Sequence, residues 1–234
     1  MALIDKHSPL QVQGSHHSEM RIIRHAYGEG EKYVPLAIKA SELWDELGKS
    51  SGERVFEKTG VLNVGTKNSS FLNNVKASAQ RFSLPVTELT AQEINTTWKS
   101  FSLDNRLMGC FEKNSGGLLS EKAVKTFRQL AYQDGTQFYF NDIVKMVSIK
   151  KSLIEVSLEQ KKITGDKLLI TAGKGTNQIL SLLGYELPVT PFRKPFSWFN
   201  TDEDIYSSSV FPAWTFDDTQ TYYGFPSIKN AGVK

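Results

Sequence analysis

Helices and strands share this chain, and the sequence predicts an α/β fold of the mixed, α+β kind. Three observations predict it. Amphipathic helical periodicity fills three stretches before Gly135, the period shortens to that of strands after Gly135, and the apolar run Ala2-Leu3-Ile4 ends on Asp5 as a buried-type strand would. With 234 residues, 39% of them hydrophobic and 23% charged, the chain can bury a substantial core.

Each element follows from local pattern. Ser8-Pro9 to Ser15 reads as loop. From Tyr33 the pattern is helical: Pro35 suits a first turn, Leu36, Ala40, Leu43 and Leu47 line one face, and Gly48 or Gly52 can end the helix. Val55 to Gly65 reads as strand around Gly60. Phe71, Leu72, Val75, Ala79 and Phe82 mark a second helix stopped by Pro85. Ser120 can cap a third, whose buried stripe is expected at Val124, Phe127, Leu130 and Ala131, with Gly135 at its end. Gln137–Phe140, Val144–Ile149, Leu153–Leu158 and Lys167–Thr171 read as strands, followed by Ala172-Gly173 and a short apolar segment, Ile179–Leu183. Aromatic-rich strands are expected at Phe192–Phe199 and Thr221–Phe225.

Composition narrows the function classes. A net charge of +3, with both signs mixed along the chain, argues against nucleic acid, and the densest basic cluster, Arg21 to His25, is broken by Ile22 and Ile23. The sequence lacks an apolar run long enough for a membrane-spanning helix, and Asp5 interrupts the start too early for a signal peptide. One cysteine, Cys110, precludes an internal disulfide and agrees with a reducing, cytoplasmic setting; its apolar surroundings suit a small core residue. His16, His17 and His25 lack the spaced Cys, Asp or Glu that would complete a zinc site, so no metal is expected.

The segment Gly14-Ser15-His16-His17-Ser18-Glu19-Met20-Arg21-Ile22-Ile23-Arg24-His25-Ala26-Tyr27-Gly28-Glu29-Gly30 carries a resemblance that continues through Tyr33-Val34-Pro35-Leu36 and Leu43-Trp44-Asp45-Glu46-Leu47. Further matches follow in order: Thr59-Gly60-Val61-Leu62-Asn63, Phe111-Glu112 to Ser115-Gly116, Lys167 to Gly173, Pro191-Phe192-Arg193-Lys194, Phe211-Pro212-Ala213 and Tyr222-Tyr223-Gly224-Phe225-Pro226-Ser227. The whole resembles the N-methyltryptophan oxidase and monomeric sarcosine oxidase family of FAD-dependent amine oxidases, and Arg193-Lys194 to Trp198-Phe199 leans toward the former branch.

The resemblance implies an FAD-binding dinucleotide fold interleaved with a mixed-sheet substrate domain. Residues 1–53 and 116–186 would be parts of the first, 54–115 and 187–234 parts of the second. It implies oxidation of a small N-methyl amino acid to an imine that hydrolyses to the amino acid and formaldehyde, with O2 taking the electrons as hydrogen peroxide. It also implies that the chain is incomplete. No glycine-rich turn precedes Asp5, and the family's flavin-linking cysteine, a Gly-His-Gly segment and a carboxylate-binding lysine fall past Lys234. The chain alone is then expected to be inactive, to hold FAD weakly and never covalently, and to expose a sheet edge.

By the same resemblance Asp5 would accept the ribose hydroxyls of the adenosine; a solvated turn aspartate is the alternative. His17, Arg21 and Arg24 would lie beside the flavin, Arg21 at its face and Arg24 on the substrate carboxylate, where an exposed basic patch is the alternative. In a helix those three would share one face. Gly173 would sit in a turn against the cofactor. Tyr223 would face the substrate, or else be a strand-core tyrosine. Lys234 matches the lysine that activates oxygen, but as a terminal residue is expected to fray. Departures stand close by. Ser18 replaces a glycine and would be strained if its φ is positive, Met20 replaces a threonine, and Lys174-Gly175 replaces a small residue and a tryptophan.

Overall fold

A computed structural model describes residues 1–10 and 14–234, so part of the loop expected after Ser8, Gln11 to Gln13, lies outside the described residues. In chain order the first elements are β1 (Ala2–Asp5), β2 (Met20–Ile23), α1 (Val34–Ser51), β3 (Phe56–Glu57), β4 (Val61–Thr66), α2 (Ser70–Arg81), β5 (Val86–Thr90), α3 (Ala91–Thr97), β6 (Leu107–Glu112) and β7 (Gly116–Leu119). Then come α4 (Ser120–Gln133), β8 (Gln137–Phe140), β9 (Met146–Lys150), β10 (Leu153–Ser157), β11 (Lys162–Gly165), α5 (Thr176–Ser181), α6 (Glu203–Tyr206), β12 (Ala213–Asp217) and β13 (Thr221–Gly224). The mixed α/β class is as expected. Two compact units are present: Met1–Ser18 with Ala123–Pro195, and Glu19–Lys122 with Phe196–Lys234.

In the first unit β1 and β8 pair in parallel, from Ala2 opposite Gln137 to Asp5 opposite Phe140. Gly135, at φ +78, turns the chain out of α4 and into β8, a conformation glycine adopts without cost. Strands β9, β10 and β11 form an antiparallel meander whose Val147, Val156 and Leu158 bury with Ile4, Tyr139 and Leu183. One expectation needs correction here. Lys167–Thr171 is not a strand: it has no ladder partner among the described residues and Leu169 is 85% exposed. Strand-forming side chains create a preference, but a strand persists only where a neighbouring edge takes up its N–H and C=O groups. The apolar segment from Ile179 is helical, in α5.

In the second unit a mixed five-stranded sheet runs β13-β12-β4-β6-β5, with β12 and β4 parallel and the other pairs antiparallel. The antiparallel sheet β2-β7-β3 lies beside it in sequence order. Central β4 is buried on both faces: Leu62 and Val64 join Ile94 and Leu107, while Val61 joins Met20, Ala213 and Phe225. Helix α2 is capped by Ser69, whose Oγ accepts from Leu72 N at 3.1 Å, and buries Phe71, Leu72 and Val75 with Ala26 and Cys110.

Other expectations in this unit shift. Helix α1 starts and stops as read, on Pro35 and on Gly52 at φ +69, yet Leu36 and Leu43 are exposed and Val34 and Leu47 are the buried residues. Helix α4, which crosses from the second unit into the first, buries the small Ala123 and Thr126 and exposes Phe127. Helix α3 went unread despite its capping box: Glu93 N donates to Thr90 Oγ1, and Thr90 N donates to Glu93 Oε2. The stretch 192–199 contains only a single bridge, Phe199 to Val233, and β12 supplies the strand instead.

Candidate functional site

The second unit holds four of the expected site residues. Met20 to Ile23 pair with β7, so Arg21 and Arg24 stand on and just after a strand, not on a helix face. Met20 points into the core. Arg21 donates through Nη1 to Met20 O at 2.8 Å. Arg24 is only 9% exposed; its Nη2 donates to Glu29 Oε1 at 2.6 Å, and its guanidinium lies 5.1 Å from the Tyr27 ring and 5.6 Å from the Phe71 ring. Arg24 Nη1 is buried with no hydrogen-bond partner. A buried arginine nitrogen left so is expensive and points to a missing acceptor. The turn past Arg24 is tightly set, because a Cβ on Gly28 would overlap the Phe71 ring that supports the guanidinium. The exposed-patch alternative therefore does not describe Arg24.

Lys234 is not frayed. Its backbone pairs with Phe225 in both directions, N to O at 3.3 Å and O from N at 2.9 Å. Its Nζ lies 4.1 Å from the centre of the Phe196 ring and 5.2 Å from that of Phe225. Burial pulls its pKa from 10.5 to about 8, with the Arg21 charge adding to the fall and Glu19 opposing it. Trp198 donates to Glu19 at 3.1 Å and meets Phe196 edge-on. Tyr223, 55% exposed, meets Phe225 edge-on at 5.9 Å, so it is not a strand-core tyrosine. Lys234 and Tyr223 thus meet at Phe225, Arg21 acts on Lys234, and Arg24 stands one residue beyond the end of Arg21's strand.

In the first unit Asp5 closes β1 at the carboxyl end of a parallel pair, the end at which such sheets bind ligands, and its Oδ1 accepts from His7 N at 2.9 Å. Gly173 opens a 3-10 turn at φ +55 with open space where a Cβ would stand. His17 N donates to Gly14 O at 3.2 Å. Ser18 is buried at φ +97, the conformation in which the glycine it replaces would be relaxed.

A family profile described as FAD dependent oxidoreductase matches residues 1–232. This chain belongs to the FAD-dependent oxidoreductase family. It is 41% identical over 231 residues to the N-methyl-L-tryptophan oxidases of Yersinia pestis (strain Pestoides F) and Yersinia pseudotuberculosis serotype O:1b (strain IP 31758). The matches cover 98% of this chain and 61% of those proteins. Among solved structures, the open form of NikD, an unusual amino acid oxidase essential for nikkomycin biosynthesis, gives a TM-score of 0.80 at 17% identity over 99% of this chain and 61% of that one. Glycine oxidase from Geobacillus kaustophilus gives 0.74 at 16% identity, over 99% and 63%. These likenesses show the fold of FAD-dependent amino acid oxidases.

The residues present fit parts of FAD. A carboxylate at the end of a parallel strand suits a ribose, and a glycine turn with open space suits close approach. Sequence reasoning missed Glu29, although it lies five residues from Arg24, and gave no role to Glu112. Among the described residues no helix is long and apolar enough to cross a membrane.

Proposed function

We propose that the chain carries the substrate-facing residues of an oxidase that demethylates N-methyl amino acids of the N-methyltryptophan or sarcosine type. The products would be the amino acid, formaldehyde and hydrogen peroxide. The observation that carries this reading is Arg24 Nη1, buried without an acceptor beside a guanidinium nitrogen already holding Glu29. A substrate carboxylate would complete that guanidinium, adding to Glu29 or displacing it. Tyr223 would line the same substrate. Lys234 would place a cation where negative charge develops on O2. Arg21 and His17 would lie along the flavin, Asp5 at the adenosine ribose, and Gly173 in a turn against the cofactor. Residues 1–53 and 116–186 would then serve FAD, and 54–115 and 187–234 the substrate. When bound, FAD supplies the two-electron oxidation of the C–N bond.

A second reading is a folded but inactive chain that retains no flavin. It is favoured by Lys167–Thr171, which leads into Gly173 without a ladder. Dialysis against FAD separates the two, since flavin absorbance retained by the protein favours the first reading. Colour surviving a denaturing gel would contradict the expected lack of a covalent link.

The arginine roles are tested on flavin-loaded protein completed with the remaining segments of a close relative. Arg24→Ala should weaken binding of N-methyl-L-tryptophan by about 30-fold or more, because breaking a buried charged hydrogen bond costs about 2–5 kcal/mol. Arg21→Ala should spare binding and depress turnover. Wild-type constants in both variants would refute the assignment.

A further inference from the structure

Glu112 closes β6 and is 3% exposed. Its Oε2 accepts from His25 N at 2.8 Å, Ala26 N at 2.9 Å and Ser115 Oγ at 2.8 Å, and its Oε1 accepts from Asn63 Nδ2 at 2.8 Å. Every contact is a donor, as an ionised carboxylate requires. Asn63 Oδ1 in turn accepts from Thr215 Oγ1 at 2.8 Å, and Thr215 stands opposite Tyr223 in the β12–β13 ladder. Two of the bonds reach across the sequence to the backbone immediately after Arg24. The far end of the chain of bonds reaches the strand pair that carries Tyr223.

We propose that Glu112 is a positioning residue for carboxylate recognition: it fixes the backbone after Arg24, so that the guanidinium and Tyr223 keep one register. This rests on the proposed function, since Arg24 matters only if a carboxylate ligand comes to it. Losing the acceptor orphans two backbone N–H groups and frees the turn. Glutamine can keep both by pointing its oxygen at them, provided the Asn63 amide flips and the Thr215 hydroxyl turns to accept.

The test is calorimetric titration of N-methyl-L-tryptophan into the full chain with FAD present, alongside amide hydrogen exchange at His25 and Ala26. Glu112→Ala should speed both amides and weaken binding about tenfold, the equivalent of one hydrogen bond to a charged group. Glu112→Gln should weaken binding about threefold and speed both amides by a smaller factor than Glu112→Ala does, since neutral hydrogen bonds are weaker than charge-assisted ones. In an Arg24→Ala background Glu112→Ala should weaken binding no further, because its effect runs through Arg24. Equal affinity in wild type and Glu112→Ala, or a full additional loss in the Arg24→Ala background, overturns the proposal. Should Glu112→Ala fail to fold, Glu112→Gln decides: unchanged exchange and unchanged affinity overturn it. A wild type that binds no amino acid overturns the proposed function and this inference together, whereas binding left unmoved by the variants overturns the inference alone.

Discussion

Strand β4 and the stretch Lys167–Thr171 are both short, apolar and rich in strand-forming residues, yet only one is a strand. Ladders to β12 and β6 bracket β4, and both its faces are covered. Lys167–Thr171 has no ladder among the described residues. The difference teaches that apolar alternation states a preference and the neighbour decides the outcome. It also separates two halves of a function. Tyr223 and Arg24, expected to meet the substrate, lie on and just after strands held in ladders, while Gly173, expected to meet the cofactor, follows a segment with no ladder among the described residues.

The largest effect should come from truncating each segment. Leu62→Ala, in the centre of β4, should cost about 2–5 kcal/mol in urea unfolding, through lost burial and the cavity left behind. Leu169→Ala should change stability by less than about 0.5 kcal/mol, as exposed substitutions do. Equal costs would break the comparison.

A smaller gain is expected at Ser18. Its φ of +97 strains a residue with a Cβ, so Ser18→Gly should stabilise the protein by about 1 kcal/mol, read as a higher urea midpoint with unchanged slope. No gain would mean that the serine side chain offsets the strain.

The smallest effect concerns Lys234. Its folded pKa, about 8, lies below the ordinary 10.5, so the unfolded chain binds more protons between those values. Stability from this group should therefore rise with pH between about 8 and 10.5, being lowest below that window, where both states are protonated. Arg21 and Glu19 are the charges that act on it, and Lys234→Gln should abolish the slope. An unaltered slope in that variant would show that Lys234 is not its source.

Legibility in the sequence followed the range of the interaction. Strands β1, β8 and β10 and helix α2 could be read because alternation and capping are local. Helix α3 could have been, from Thr90 and Glu93 three residues apart. The faces of α1 and α4 could not, because periodicity shows a stripe without naming what covers it, and Leu36, Leu43 and Phe127 ended exposed. The strain at Ser18 was legible through the glycine it replaces. The Arg21–Lys234 proximity and the bonds from Glu112 to His25 and Ala26 were not, since each joins residues that only the folded sheets bring together.

In the β2–β7 ladder Gly117 stands opposite Ile22, and the Met20 side chain lies diagonally over it, so a Cβ added at Gly117 would overlap the Met20 thioether. The two positions are therefore coupled. A side chain at 117 fits only if residue 20 is shortened, and a shorter residue at 20 would leave a void beside Gly117.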